Sequence, residues 1–285
     1  MVQSTVVATA APEWLDDLTL PSEPPWLPMG TRALRGAPLL EAAVGRGGDE
    51  VRWRKEQLLA SAHDEVSVAL SGAEAAAEEA AQLVARAAGR LLGEARPPLE
   101  AAALLVPDDL VVLVRREGAW LMGAGVVCFP SHWSPPAKLG LPIGAIHAPV
   151  PRYADELSER VDRFLDHLSP ERPVWRRNWL VHASAELHVP HPLEVSGPVA
   201  PEQHWLRSER QVLTALPASG GILFLIRTEQ VPFAVLKDRP DVAARLAAAM
   251  RSSPADLTRY RFAGLDVAAL VDWLERQSVG PAPAG

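Results

Sequence analysis

The linker Glu117-Gly118 constrains the fold of this chain more than any other sequence feature, because it joins two β-rich segments. Residues 110–115 and 120–129 are rich in Val, Leu and aromatic side chains. A two-residue link that ends in glycine is typical of a tight β-hairpin. Further strand patterns follow at residues 173–182, 205–213 and 221–228. The sequence therefore predicts about five strands in a mostly antiparallel sheet.

Helical patterns interrupt and follow these strands. Residues 154–168 carry apolar side chains on one face, and Pro240 and Asp266 begin two C-terminal helices. There is no βαβ alternation and no GxGxxG or GxxxxGK[ST] loop, so a self-contained nucleotide-binding enzyme is disfavoured. The predicted class is α+β. We expect an extended arm over residues 1–30, a helical region over 31–96 and a sheet domain with C-terminal helices over 97–285.

Composition excludes several classes of protein. The single cysteine, Cys128, excludes an intramolecular disulfide, a cysteine-based zinc site and an iron–sulfur cluster within this chain. A net charge of -7 and the lack of a Lys/Arg block argue against a nucleic-acid partner. The longest apolar run is too short to cross a bilayer, and the N-terminus lacks a signal-peptide pattern. We therefore expect a cytoplasmic protein without membrane contact.

Residues 128–153 form a stretch rich in Pro and Gly that cannot be a regular helix or a central strand. It also carries large apolar residues such as Trp133, so we predict an ordered loop packed on the rest of the fold. Near its end, His147 follows Ile146 and precedes two prolines. One interpretation is a neutral imidazole held in one direction, as a haem-iron ligand requires. The alternative is a core histidine bonded to a backbone carbonyl.

Charged residues alternate along the later strand patterns. Arg207 and Glu209 lie on one face of their strand, and Arg210 lies on the other. One interpretation is a structural Arg–Glu network, because buried charges need partners. The other is that arginines clamp carboxylates such as haem propionates while Glu209 handles a proton or a cationic amine. The side chains that extend this polar cluster are Arg176, Asn178 and Arg227.

Tryptophans and histidines are concentrated in the middle of the chain. Trp133, Trp175, Trp179 and Trp205 either wall a flat aromatic ligand or are ordinary core residues. His182, His188, His191 and His204 are dense, but the HxxH motif lies in a loop without Asp or Cys ligands on a defined element. A solvated loop is therefore favoured over a metal site.

Several motifs occur in order between residues 25 and 277. They are MGTRALR, PDDL, VCFPSHW, KLGLPIGAIHAPVP, RFLDHLSPERPVWRRNW, LRSERQVL, LPASGGILFLIRT and RYR. In these motifs the chain resembles the haem-dependent oxidative N-demethylase family. The longest and most specific of them run from VCFPSHW to RRNW.

The resemblance implies a PAS-like domain whose five-stranded antiparallel sheet holds haem b. It implies removal of a methyl group from a small secondary amine such as dimethylamine, with dioxygen as oxidant and formaldehyde as product. Electrons would come from a separate reductase that uses flavin, an iron–sulfur cluster and NADPH. His147 would be the proximal iron ligand. The resemblance assigns to the haem or substrate pocket the residues Arg207, Glu209, Arg210 and Arg227.

The chain departs from the family pattern in places that bear on the substrate. Val212 and Glu229 stand where a polar or aromatic residue is usual, and Arg261 stands where lysine is usual. Three other functions stay open: haem oxidation of a different amine, a PAS-like haem sensor, and a structural subunit with an empty pocket. A homodimer is one option for the assembly.

Overall fold

An antiparallel sheet forms the centre of this computed structural model. Within residues 11–41, 46–192 and 197–279, which the structure describes, the sheet has seven strands. They are β1 (Arg32–Ala33), β2 (Ser67–Ala69), β3 (Asp109–Arg116), β4 (Ala119–Val126), β5 (Val174–His182), β6 (Trp205–Ala215) and β7 (Ile222–Pro232). Their order is β1-β5-β6-β7-β3-β4-β2, with antiparallel neighbours throughout.

The prediction of a five-stranded sheet was wrong, because the structure has two further strands, both short and both at the edges of the sheet. β1 pairs with β5 through two residues, and β2 pairs with β4 through three. Segments this short show no measurable alternation of apolar and polar residues, so a pattern-based prediction does not detect them. The five longer strands lie where the sequence predicts them, and helices accompany the sheet. The α+β class is therefore confirmed, whereas the PAS-like character stays a prediction.

The turn between β3 and β4 is the predicted hairpin. Glu117 and Gly118 both have positive φ angles, of 49° and 83°. A two-residue turn of this kind matches the right-handed twist of its strands, and glycine adopts a positive φ without steric strain. The local sequence alone therefore determines this connection.

Helices precede the sheet, fill the insertion between β4 and β5, and end the chain. They are α1 (Arg46–Ser61), α2 (His63–Val66), α3 (Glu74–Ala87), α4 (Pro98–Ala103), α5 (Pro135–Lys138), α6 (Ile143–Ile146), α7 (Tyr153–Glu156), α8 (Ser158–Asp166), α9 (Pro240–Ser252), α10 (Ala255–Arg261) and α11 (Val267–Ser278). Short 3-10 helices span Glu13–Asp17, Pro201–Gln203 and Phe233–Asp238.

The C-terminal helices begin where the sequence predicts, but the helix predicted between β4 and β5 is not continuous. Pro240 is the first residue of α9, and the Asp266 carboxylate accepts a hydrogen bond from the Ala269 amide at 3.0 Å. The single helix predicted over residues 154–168 is two helices. The break lies at Leu157, whose φ is -126° and whose side chain is buried in a small apolar cluster with Tyr153.

Apolar layers cover both faces of the sheet. On one face, α3 and α4 pack against β3 and β7, while α9 and α11 pack against β5 to β7. On the other face, Ile143 of α6 and Leu165 of α8 pack against Val111 and Ile226. Each fully buried Leu or Ile contributes roughly 1.5–3 kcal/mol, so these layers hold the insertion in place.

The described part of the N-terminal arm packs on this body. Leu15 and Leu18 are buried beside α9 and α11, and Leu27 lies in the cluster around Tyr153. The prediction for residues 1–10 of the arm lies outside the described residues, and the division into three regions stays a prediction. None of the helices in the described ranges is long and apolar enough to cross a membrane.

Candidate functional site

The strands β5, β6 and β7 present different chemistry on their two faces. Directly opposed residues of antiparallel strands lie on the same face, and the register here runs without a bulge. One face, called the site face, carries the rows Asn178–Glu209–Thr228 and Arg176–Gln211–Ile226. The other, called the network face, carries the row Arg177–Arg210–Arg227 and, in the next row, Glu229.

Every arginine in the network-face row has a carboxylate partner. The Arg177 guanidinium lies 2.5 Å from Glu229, and that of Arg210 lies 2.7 Å from Glu41. Arg227 binds the fully buried Asp108 carboxylate at 2.8 Å. Buried charges that are paired and hydrogen-bonded in this way form a structural network.

The network face therefore holds three of the predicted site residues. Arg210 and Arg227 are engaged by Glu41 and Asp108. Trp179 packs in the apolar cluster under α9 and α11, beside Phe262. The structure does not bring these side chains together with Glu209, because they point to the opposite side of the sheet.

Arg207 lies on the site face, but its guanidinium binds the beginning of the Pro/Gly-rich insertion. It is fully buried and donates to the carbonyls of Phe129 at 2.6 Å and Leu187 at 2.9 Å. The Phe129 amide in turn donates to the Asp109 carboxylate at 2.8 Å. Burial lowers the pKa of Arg207. This side chain thus anchors the loop in the described structure.

The centre of the site face holds polar groups that are only partly satisfied. The Gln211 amide donates to one Glu209 oxygen at 2.9 Å, and Glu209 is 8% exposed. Among the described residues, the buried Arg176 Nε and Thr228 hydroxyl have no hydrogen-bond partner. Burial lowers the pKa of Arg176, and the charge of Glu209 opposes that shift. Unpartnered buried polar atoms are uncommon in folded proteins and call for an explanation.

His147 ends α6, at the C-cap position, and its ring has a fixed orientation. Its Nδ1 donates to the Ile143 carbonyl at 2.9 Å, and its ring stacks on Tyr153 at 4.6 Å with an angle of 11° between the planes. Burial is the main factor that lowers the pKa of His147, so the imidazole is neutral at pH 7. A neutral ring that donates through Nδ1 keeps a lone pair on Nε2. The two sequence interpretations of His147 are thus compatible, since a carbonyl bond and a ligand role use different nitrogens.

The site face and His147 are electrostatic neighbours. The charge of Arg176 lowers the pKa of His147, and the charge of Arg261 lowers the pKa of Arg176. Burial raises the pKa of Tyr260, and the charge of Glu209 adds to that shift. These charge effects link the insertion and α10 to the site face, and we group the residues concerned as one candidate cluster, of which the predicted members are His147, Arg176, Asn178 and Glu209.

Sequence reasoning did not select several residues of this cluster. Thr228 is recoverable from the strand register, because it lies directly opposite Glu209. Tyr153 lies only six positions after His147, yet its stacking depends on the turn between α6 and α7. Tyr260 is the middle residue of the RYR motif in α10, but the motif does not indicate which part of the sheet α10 lies beside.

The remaining histidines do not assemble a metal site. The Nε2 atom of His182 lies 2.8 Å from the Ser131 hydroxyl, and its ring stacks on that of His132 with the ring centres 5.1 Å apart. The Nδ1 atom of His188 lies 2.9 Å from the Cys128 carbonyl oxygen. Burial and the Arg207 charge lower the pKa of His182 to about 3. In the part of the chain that the structure describes, no group of three or more His, Cys, Asp or Glu residues is placed to hold a metal ion.

Comparison with protein families decides the relationship of this chain. The family model described as haem-dependent oxidative N-demethylase, alpha subunit-like, matches residues 86–265, more than half of the 285 residues. The chain belongs to this family. The matched range includes the β3–β4 hairpin, the insertion that carries His147 and the three strands β5 to β7 of the site face.

Membership in the alpha subunit-like family carries three general implications. Its description implies dependence on haem, a part in oxidative N-demethylation, and other subunits in a complex. The matched range begins within α3 and ends before α11, so the N-terminal arm and the last helix lie outside it. The family resemblance read from the motifs is confirmed.

Proposed function

We propose that this chain is a haem-dependent oxidase that removes an N-methyl group from a small secondary amine and releases formaldehyde. Dioxygen is the oxidant, and electrons come from a separate reductase. The family match supports the reaction class. The observation that carries the proposal is the neutral His147, whose Nδ1 is bound to a carbonyl while no hydrogen bond to Nε2 is found among the described residues.

The residues around the site face fit a haem. His147 offers Nε2 to the iron, because its ring orientation is fixed by Ile143 and Tyr153. Arg176 offers a buried guanidinium nitrogen without a partner among the described residues, which suits a propionate carboxylate. Asn178 lies beside it on the same face. When bound, the haem supplies the dioxygen chemistry that protein side chains lack.

The other predicted haem contacts are weaker parts of the proposal. Arg207 donates to backbone carbonyls, and Arg210 is paired with Glu41. Trp179 packs against Phe262 on the network face, and Arg227, proposed for catalysis, binds Asp108. Arg210, Trp179 and Arg227 point away from the site face, and Arg207 has only its Nε without a hydrogen-bond partner among the described residues. We therefore place Arg176 and His147 first.

Glu209 is the proposed binding group for the amine. It is the only carboxylate on the site face of the described strands β5 to β7. Gln211 donates to one of its oxygens, and the other accepts no hydrogen bond from the described residues, which suits a cationic ligand. In this role Glu209 holds the protonated amine and then accepts its proton, because only the neutral amine is readily oxidised.

The three residues that depart from the family pattern differ in whether they can affect which substrate binds. Val212 is fully buried in the apolar core, and Glu229 binds Arg177 on the network face. Neither lines the site face. Arg261 stacks on the Trp179 ring at 5.7 Å, and its charge adds to the burial that lowers the pKa of Arg176. We therefore propose that any shift away from dimethylamine depends on Arg261, with the substrate still a small methylated amine.

An electron-donating partner completes the proposal. Cys128 is the single cysteine and is fully buried, and burial raises the pKa of its thiol to about 12. The chain thus has no cysteine set for an iron–sulfur cluster, and a reductase that carries flavin and an iron–sulfur cluster would deliver electrons from NADPH. The family description, with its alpha subunit, supports a partner.

The test combines spectra with product analysis. The purified protein is titrated with haem, spectra are recorded in the oxidised, reduced and carbon monoxide-bound forms, and formaldehyde is assayed with a panel of methylated amines. We expect a Soret band that responds to reduction and carbon monoxide, and formaldehyde from at least one amine. A responsive Soret band without product would favour the haem-sensor alternative. Failure to take up haem would overturn the proposal.

A further inference from the structure

Thr228 carries a buried hydroxyl that the proposed haem and amine contacts leave unused. It lies on β7 directly opposite Glu209, within an uninterrupted register, so both side chains project from the site face. Its oxygen has no hydrogen-bond partner among the described residues. A buried hydroxyl without a partner costs free energy relative to a methyl group of the same shape.

The fold itself does not explain the hydroxyl at position 228. Valine has the same branched shape and a high preference for strands, so it would fill this position without a polar atom. The next site-face residue on β7 is the apolar Ile226. A polar group at this position therefore points to a ligand that accepts a hydrogen bond.

The proposed reaction supplies such an acceptor and also needs protons. One secondary amine, one dioxygen, two electrons and two protons give one primary amine, one formaldehyde and one water. The methyl carbon is oxidised and its C–N bond breaks. Dioxygen is reduced by four electrons, two from the methyl group and two from the reductase. Dioxygen therefore gains negative charge during the reaction, and a hydrogen-bond donor beside it would stabilise that charge.

Glu209 lies directly across the strand pair from Thr228 but is not hydrogen-bonded to it. The Glu209 carboxylate accepts instead from the Gln211 amide at 2.9 Å. The proposed amine-binding group and the Thr228 hydroxyl are therefore neighbours on one face, and the hydroxyl keeps its proton for a ligand.

We propose that the Thr228 hydroxyl would donate a hydrogen bond to the dioxygen that a haem would bind at the site face. This hydrogen bond would stabilise the negative charge that the oxygen gains as electrons arrive. The two protons of the reaction would come from the protonated amine held by Glu209 and from solvent, so Thr228 is unchanged after each turnover. This inference rests on the proposed function, since it needs haem and dioxygen on the site face.

The test compares Thr228→Val with Thr228→Ser. Thr214→Val is the matched control, because Thr214 lies on the network face of β6. In the reduced protein with carbon monoxide, a hydroxyl that donates to the ligand lowers the C–O stretching frequency. We expect Thr228→Val to raise this frequency, and Thr228→Ser and Thr214→Val to keep it near the wild-type value. Haem uptake should be equal in all four proteins.

Turnover provides the second readout. Removal of one hydrogen-bond donor to a developing negative charge typically costs about 10²- to 10³-fold, so we expect Thr228→Val to slow formaldehyde formation by about 10²-fold. The share of dioxygen released as hydrogen peroxide should rise, and serine should restore most of the coupling. Wild-type C–O frequency and coupling in Thr228→Val would overturn this inference and leave the proposed function intact. A wild-type protein that takes up no haem would overturn both.

Discussion

The two faces of β5 to β7 carry similar residues in different states. On the network face, Arg177, Arg210 and Arg227 all bind carboxylates. On the site face, Arg176 has no carboxylate partner among the described residues, and Glu209 is bound by a neutral amide rather than a cation. Carboxylate–arginine pairs stabilise the fold, whereas an arginine and a carboxylate without a charged partner are available for a ligand. The pairing state, and not the presence of charge, distinguishes the two faces.

The largest expected effect is the loss of a buried pair on the network face. Asp108→Ala leaves the Arg227 guanidinium buried without its partner, and breaking a buried pair typically costs about 3–5 kcal/mol. The free energy of unfolding, measured in urea, should fall by this amount. The surface variant Asp17→Ala, which removes an exposed pair with Arg32, should cost less than about 1 kcal/mol. Equal losses in the two variants would contradict the structural role of the network face.

The next prediction compares the same change, glutamate to glutamine, on the two faces of the sheet. Glu209→Gln removes the only carboxylate from the site face of β5 to β7, so formaldehyde formation should fall by about 10²-fold while the unfolding free energy is retained. Glu229→Gln on the network face should weaken the pair with Arg177 and lower stability while it leaves turnover intact. Steady-state rates and urea unfolding of both variants measure this contrast. Unchanged affinity and turnover in Glu209→Gln would remove its assigned role.

A smaller, pH-dependent effect comes from His182 at the end of the site face. Its pKa is about 3 in the folded protein and ordinarily 6.5, so between these values the unfolded chain binds a proton that the folded protein does not. Stability is therefore complete above pH 6.5 and is lost as the pH falls toward 3, by up to about 1.4 kcal/mol per pH unit from this group. Urea unfolding at pH 7, 6 and 5 should show a steeper loss in the wild type than in His182→Gln. Parallel curves would show that His182 titrates normally.

The smallest expected change in stability comes from Arg176. Arg176→Met removes a half-buried arginine that has no carboxylate partner among the described residues, so the unfolding free energy should change by less than about 1 kcal/mol. Haem affinity should nevertheless fall, because a propionate loses its cation. A haem titration and a urea curve on the same preparation measure both quantities. A loss of several kcal/mol would show that Arg176 belongs to the structural charges.

The sequence predicts the sheet well because its signals are local. Glu117-Gly118 specifies the hairpin, and strict alternation specifies which residues of β5 and β6 share a face. Asp266 caps its helix as predicted. The short edge strands β1 and β2 are missed because two or three residues contain no period, and they exist only through pairing with longer strands.

The candidate site is less predictable because charge pairing is a long-range property. Asp108 lies 119 positions from Arg227, so alternation marks Arg227 as a buried cation without indicating its partner. The same limit applies to Arg210 and Glu41. His147 is identified by its apolar, proline-rich surroundings, but the Ile143 bond that orients its ring becomes visible only once α6 is formed.

The most direct test of the account is imidazole rescue of a His147→Gly variant. We predict that the wild-type protein binds haem with the spectrum of a histidine ligand on an open iron. The variant should lose this spectrum and regain it when imidazole is added, because free imidazole fills the space of the missing ring. Rescue would place the iron at Nε2 of His147, beside the site face. A variant that binds haem with an unchanged spectrum in the absence of imidazole would contradict the account.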